Sequence, residues 1–173
     1  MNQYWDQLVQ AGAVFSPDRI YRYALFRQWD EDRPRACQVV IGLNPSTADE
    51  SINDPTIRKC IGRAKRNGFN QLVMLNIFAL RSTDPKKLKQ VADPIGPEND
   101  VWIREICNRV NTVIVAWGND GEILKRGQAV STMLFTPGID MYCLGTNKNG
   151  EPKHPLYLSY EVLLVPYTPV APF

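Results

Sequence analysis

Apolar residues along the chain gather into four short runs: ACQVVIGL (36–43), QLVMLNIFAL (71–80), NTVIVAWG (111–118) and MYCLG (141–145). Runs of that length with little polar alternation mark strands buried on both faces. Between them the period changes. In PTIRKCIGRAKR (Pro55–Arg66), Ile57, Cys60, Ile61 and Ala64 recur at i, i+3, i+4 and i+7, while Arg58, Lys59, Arg63, Lys65 and Arg66 take the other side. The spacing predicts an amphipathic helix. Asp54 before Pro55 suits its N-cap and first position, and Asn67-Gly68 suits its stop. ENDVWIREICNRV (98–110) and GEILKRGQAVSTML (121–134) predict two more helices. The segment 81–97 is a proline-punctuated excursion with room for a turn or two of helix. The tail, 146–173, starts polar and ends proline-rich, with a helix or strand within 156–165.

Ahead of these lies IYRYALFRQW (20–29), aromatic and partly alternating, followed by the turn-forming DEDRPR. It predicts a strand paired as an antiparallel hairpin with 36–43. Strands alternating with helices imply a parallel sheet with crossover connections. The expected fold is α/β: a three-layer α/β/α arrangement whose central, mainly parallel four-stranded sheet holds 39–43, 72–78, 113–117 and 141–144, plus an N-terminal antiparallel strand at 20–28. A length of 173 residues predicts one domain over 1–173.

Composition narrows the class. Hydrophobic residues at 44% and charged residues at 22% describe a globular chain, not a disordered one. No apolar run approaches the roughly 20 residues of a membrane span. The start, MNQYWDQLVQAGAVF, carries acid and amide residues where a signal peptide has a basic and then an apolar stretch. A cytoplasmic protein without a membrane partner is expected. The net charge of +2 permits a nucleic-acid partner without requiring one. Cys37, Cys60, Cys107 and Cys143 are far apart and accompanied by a single histidine. That pattern predicts buried free thiols, no metal site and no cofactor.

Polar residues collect where the apolar runs end: Gly42-Leu43-Asn44-Pro45-Ser46, Asn76 with Phe78 beyond it, Trp117-Gly118-Asn119-Asp120, and Gly145-Thr146-Asn147 with His154-Pro155 on the next loop. In a parallel sheet these groups meet at one edge, where α/β proteins bind ligands. Singly each has a plain structural explanation. Gly-x-Asn-Pro-Ser consists of turn formers, a lone histidine is more often structural, and the basic face of the Pro55–Arg66 helix is by default a solvated face. Asn76, set among apolar neighbours, must find a partner or cost about 1–3 kcal/mol. Their joint arrival at one edge favours a site.

In order, these segments resemble the uracil-DNA glycosylase superfamily. GLNPS is similar to the Gly-x-Asn-Pro-Gly motif of its mismatch-specific and single-strand-selective branches. LNIFALRSTDP resembles the strand whose asparagine reads the base, NTVIVAWG the third core strand, and KHPLYL a reduced closing His-Pro-Ser-Pro motif. The likeness covers about 39–158. RYALFRQW, LNPSTAD and DPT bring the chain closer still to a bacterial family of uncharacterised domains. Two features depart from the superfamily pattern: Ser46 replaces the last motif glycine, and Leu156-Tyr157 replace the Ser-Pro of the minor-groove wedge.

The resemblance implies hydrolysis of the N-glycosidic bond of a flipped base, with DNA or a nucleotide as partner. In that mechanism Asn44 positions the attacking water, with Asp49 as a substitute base, and His154 donates to the departing base. Asn76 reads the base edge and Phe78 stacks on the ring. Gly42, Leu43, Pro45 and Ser46 form the wall, with Gly42 allowing close approach of the ring and Pro45 stiffening the turn. Arg58, Lys59 and Arg63, or the Lys86, Lys87 and Lys89 cluster, hold phosphates. A purely functional Asn44 would leave stability unchanged on truncation. A nucleotide- or nucleic-acid-binding module without glycosylase activity is the alternative.

Overall fold

The computed structural model describes residues 3–169, so both ends of the expected 1–173 domain lie outside the described residues. The elements run α1 (Gln3–Ala11), β1 (Ala13–Phe15), β2 (Arg22–Gln28), β3 (Cys37–Gly42), α2 (Pro55–Arg66), β4 (Gln71–Asn76), the 3₁₀ helix η1 (Pro85–Lys89), α3 (Asn99–Cys107), β5 (Thr112–Val115), η2 (Asn119–Lys125), α4 (Arg126–Leu134), β6 (Asp140–Cys143) and β7 (Val165–Pro166). This is an α/β fold built on a seven-stranded mixed sheet, ordered β1-β2-β4-β3-β5-β6-β7. The four long apolar runs are its parallel centre, β4-β3-β5-β6. The extra strands, β1 and β7, pair antiparallel at the edges. At three and two residues they are too short to carry a readable period.

The side-chain period of two divides each central strand between two cores. Val39, Ile41, Val73, Leu75, Val113 and Val115 join residues of α1, α3 and α4 in one cluster. Val40, Leu72, Met74 and Ile114 join Ile57 and Cys60 of α2 in the other. Asp54 caps α2 by accepting the Ile57 amide at 2.9 Å. The cysteines are free, with Cys60, Cys107 and Cys143 buried, and burial pushes the Cys60 and Cys107 thiols up to about 12. Among the described residues no helix is long and apolar enough to cross a membrane.

Two expectations need correction. β2 does not form a hairpin with β3. It pairs antiparallel with β4, which lies between them. Asn70, at the entry to β4 and 1% exposed, holds the chain on both sides. Its Oδ1 accepts the Ala36 amide at 2.8 Å, and its Nδ2 donates to the Asp30 carbonyl at 2.8 Å and the Arg33 carbonyl at 3.3 Å. The loop after β2 is thereby stretched across the start of β4. The expected 121–134 helix is also broken: Leu124 and Lys125 both have φ of 53°, a left-handed region costly for side chains with Cβ. The break sets Arg126 to donate to the Ile77 carbonyl at 2.7 Å and to pair with Asp100.

Asn70→Ala removes three side-chain hydrogen bonds from a buried junction. We expect it to cost roughly 1–3 kcal/mol, lowering Tm by several degrees in a chain of this size. An unchanged melting curve would show that the loop is held by other contacts.

Candidate functional site

β3 leads to β4 on one side while β5 leads to β6 on the other, so the outgoing connections part between β3 and β5. Such a switch point opens a crevice beyond the carboxyl ends of the strands. Beyond the ends of β3 and β4, against the head of β2 and the start of α2, lies a polar cavity of about 40 Å³ lined by Arg22, Leu43, Asn44, Ser46, Asp54, Thr56, Ile57, Met74, Asn76 and His154. Of the residues singled out from sequence, Leu43, Asn44, Ser46, Asn76 and His154 are brought together. That volume suits one or a few waters, or one small polar group.

Asn44 has two tasks. Its Nδ2 donates to the carbonyls of Pro45 (3.0 Å), Leu80 (3.4 Å) and Ser82 (2.9 Å), and Ser82 returns a backbone bond to Pro45 at 2.8 Å. The amide nitrogen therefore staples the β3 loop to the β4 loop, and what Asn44 can offer a ligand is its acceptor, Oδ1.

Asn76 is 3% exposed and lies in register with Gly42. A Cβ on Gly42 would meet Asn76 Nδ2 at 3.0 Å and the Met74 terminal methyl at 2.6 Å. Gly42 thus makes room for the Asn76 amide and does not itself line the cavity. Asn76 Oδ1 accepts from the Arg22 guanidinium at 3.3 Å, an orientation that leaves Nδ2 as the donor. The Asn76 carbonyl accepts from Asn99 Nδ2 at 3.0 Å, fixing the strand end behind it.

His154 arrives on a loop tied to the ends of β5 and β6. Gly118 donates to the Pro152 carbonyl at 2.8 Å and Lys153 to the Gly145 carbonyl at 2.9 Å. Gly118 has φ of 77° and a Cβ there would meet His154 Cβ at 3.3 Å, so this position needs glycine. Gly118 and Gly145 therefore support the histidine loop, and none of residues 117–120 or 145–147 lines the cavity. His154 Nδ1 accepts the Leu156 amide at 3.3 Å, which assigns the proton of the neutral ring to Nε2. Burial lowers the His154 pKa, partly opposed by the Asp54 carboxylate.

Several expected residues lie elsewhere. Phe78 is fully buried in the core shared with α3 and α4, so it offers no stacking face to the cavity. Asp49 accepts the Ile52 and Ser51 amides at 2.7 and 2.9 Å. Those bonds hold its carboxyl below its ordinary pKa, making it a turn cap and a poor base. Pro45 is buried behind the wall. The basic face of α2 packs on the tail. Arg63 donates to the carbonyls of Ser159 (2.6 Å), Val162 (3.2 Å) and Leu158 (3.3 Å). Lys59 lies 3.9 Å over the Tyr160 ring, and Arg58 donates to the Asn53 carbonyl. These three line neither the cavity nor its approach.

The approach is an open cleft of about 590 Å³ lined by Arg19, Ile20, Ser46, Thr47, Arg81, Ser82, Thr83 and Lys87. Ser46 belongs to both spaces. Of its cations, Arg19 pairs with Glu50 at 2.7 Å, and Lys87 is the one member of the expected lysine cluster that lines the cleft. Arg22, Asp54 and Thr56 went unread from sequence as site residues. The available signal was an arginine at the head of a strand whose next residues are all apolar or aromatic: because β2 is antiparallel to β4, its head lies at the carboxyl edge of the parallel strands.

Residues 22–156 match a family model described as "Protein of unknown function (DUF1643)", a stretch that contains every cavity-lining residue. No curated protein and no solved structure matches the chain.

Two predictions follow from this geometry. Asn44→Ala should lower stability by about 1–2 kcal/mol, because several backbone acceptors lose their donor. Thermal melts check this, and an unchanged Tm would show that the loop staple is idle. For His154, the folded pKa lies below the unfolded value of about 6.5. The unfolded chain therefore takes the proton first, and the stabilisation present above about pH 6.5 is lost as pH falls below it. Wild type should lose Tm more steeply than His154→Gln between about pH 6.5 and 5. Parallel curves would rule out a neutral, buried imidazole.

Proposed function

We propose that this chain, which belongs to the DUF1643 family, releases a carbonyl-bearing base from a nucleotide unit by hydrolysing its N-glycosidic bond. The observation that carries the reading is the polar cavity lined by Asn44, Asn76 and His154, which shares Ser46 with a cleft bearing arginine, lysine and hydroxyl groups. The finer architecture belongs with it: one three-layer α/β/α domain of the uracil-DNA glycosylase type.

Base release develops positive charge on the sugar and negative charge on the base, so an enzyme must favour both and hold a water at the anomeric carbon. Asn44 Oδ1 supports the water as an acceptor. An amide is a weak base, so turnover is slow. His154 donates Nε2–H to a base carbonyl. Asn76 presents its Nδ2 donor, which matches the carbonyl edge of a uracil-like ring and opposes the amino group of a cytosine-like one. The cavity takes the carbonyl edge of a ring, and the remainder of the base lies outside it on the Ser46 side. Phosphates lie in the cleft near Arg81 and Lys87.

A second reading, a nucleotide- or nucleic-acid-binding module without base release, is favoured by one observation. Asp54, the one carboxylate lining the cavity among the described residues, is engaged as the cap of α2.

The test is release of free base from single- and double-stranded oligonucleotides carrying one uracil, hypoxanthine or oxidised pyrimidine. We expect release from a uracil-type strand, slowed about 100-fold or more in His154→Ala with little loss of binding. Salt-dependent oligonucleotide binding without release from any strand would favour the second reading. Neither binding nor release would defeat both.

A further inference from the structure

Arg22 is 2% exposed, and among the described residues no carboxylate pairs with its guanidinium. Its hydrogen bonds go to neutral acceptors, the Ala48 carbonyl at 3.0 Å and Asn76 Oδ1 at 3.3 Å. Its Nε has no partner among the described residues. A buried cation in that state is costly unless something negative shares its site. The charged groups acting on it are Asp54, which favours its charge, and Arg81 and Arg27, which oppose it, so cations outnumber anions there. Asp54 itself accepts the Ile57 amide at the start of α2, where backbone amides and the helix dipole already offset its charge. Two first-turn residues of this 12-residue helix, Thr56 and Ile57, line the same cavity. Asn76 Nδ2 and His154 Nε2–H add two neutral donors to a lining whose acceptors include Asn44 Oδ1 and the already capped Asp54.

We infer that the cavity is an anion hole, in which Arg22 is the catalytic group that takes up the negative charge of the departing base. This rests on reading the cavity as a place of base release. In the reaction the C1′–N bond breaks and its electron pair goes to the base, spreading onto a carbonyl oxygen beside Arg22 and His154. The water held at Asn44 forms the C1′–O bond, and its proton ends on the base nitrogen. A fixed cation and two neutral donors in a water-poor site stabilise this charge with no reorganisation as it forms.

Nitrate and formate are small planar anions that test the hole without a substrate. At constant ionic strength, with gluconate as the balancing anion, wild type should show a saturable rise in Tm with either, and none with neutral acetamide. Nitrate should also shift the Asn76 side-chain amide and His154 ring resonances. Arg22→Gln should abolish the nitrate response and slow base release by about 100- to 1,000-fold, with Arg22→Lys intermediate. If Arg22→Gln does not fold, the wild-type resonances decide. Absence of a saturable nitrate effect, an equal effect of acetamide, or a full response in Arg22→Gln overturns the inference. Nitrate binding that depends on Arg22, without base release from any strand, keeps the anion hole and defeats the proposed activity. Base release at the wild-type rate by Arg22→Gln keeps the activity and defeats the role of Arg22.

Discussion

The carboxyl end of β4 is the constraint on which the site depends. Asn76 and the residues after it are buried, and each polar group there must be matched inside the protein. Asn99 donates to the Asn76 and Ile77 carbonyls from α3, and Arg126 adds a bond to Ile77 from α4. On the other face, Gly42 leaves room for the Asn76 amide while Arg22 orients it. Two helices, a neighbouring strand and the antiparallel β2 thus converge on one strand end. Stability and the shape of the cavity are not separable at this point, and the same holds for Asn44, whose nitrogen ties the β3 loop to the β4 loop while the residue lines the cavity.

Charge is arranged by the same economy of contacts. The most basic helix, α2, turns three of its five cations toward the tail: Arg63 holds three tail carbonyls, while Lys59 and Arg66 cover Tyr160. The cations left near the ligand space are those of the cleft and the buried Arg22. A small enclosed cavity strengthens a single charge by excluding water, whereas an open cleft leaves its charges screened by salt. The two spaces meeting at Ser46 therefore differ in electrostatic character as well as in size.

The parallel core was legible because burial on both faces leaves uninterrupted apolar runs, and α2 was legible because cap, period and stop agreed. The strand order was not. DEDRPR reads as a hairpin turn, and only the tertiary bonds of Asn70 show that it spans a third strand. The break at Leu124 and Lys125 was hidden because both residues suit a helix, and packing overrode propensity. Within the site, Asn44, Asn76 and His154 could be grouped because each follows a run that ends at the same edge. Phe78 could not be placed, since residue type alone does not tell a stacking face from a core ring. Nor could the surroundings of Lys59 and Arg63 be read: a basic helix face carries no sign of the tail that packs on it.

The insertion of β4 between β2 and β3 also governs the order in which the sheet can assemble. β2 and β3 adjoin in sequence yet share no ladder, so the earliest strands to be synthesised have no local partner except the three-residue β1. Residues 25–28 and 37–42 wait for 71–76, which closes loops of some tens of residues in one step and favours slow, cooperative formation of the centre. Until then the chain carries apolar strands with open edges, the kind of intermediate that self-associates. The buried polar edge at the end of β4 thus cannot form until that strand has arrived and paired with both β2 and β3.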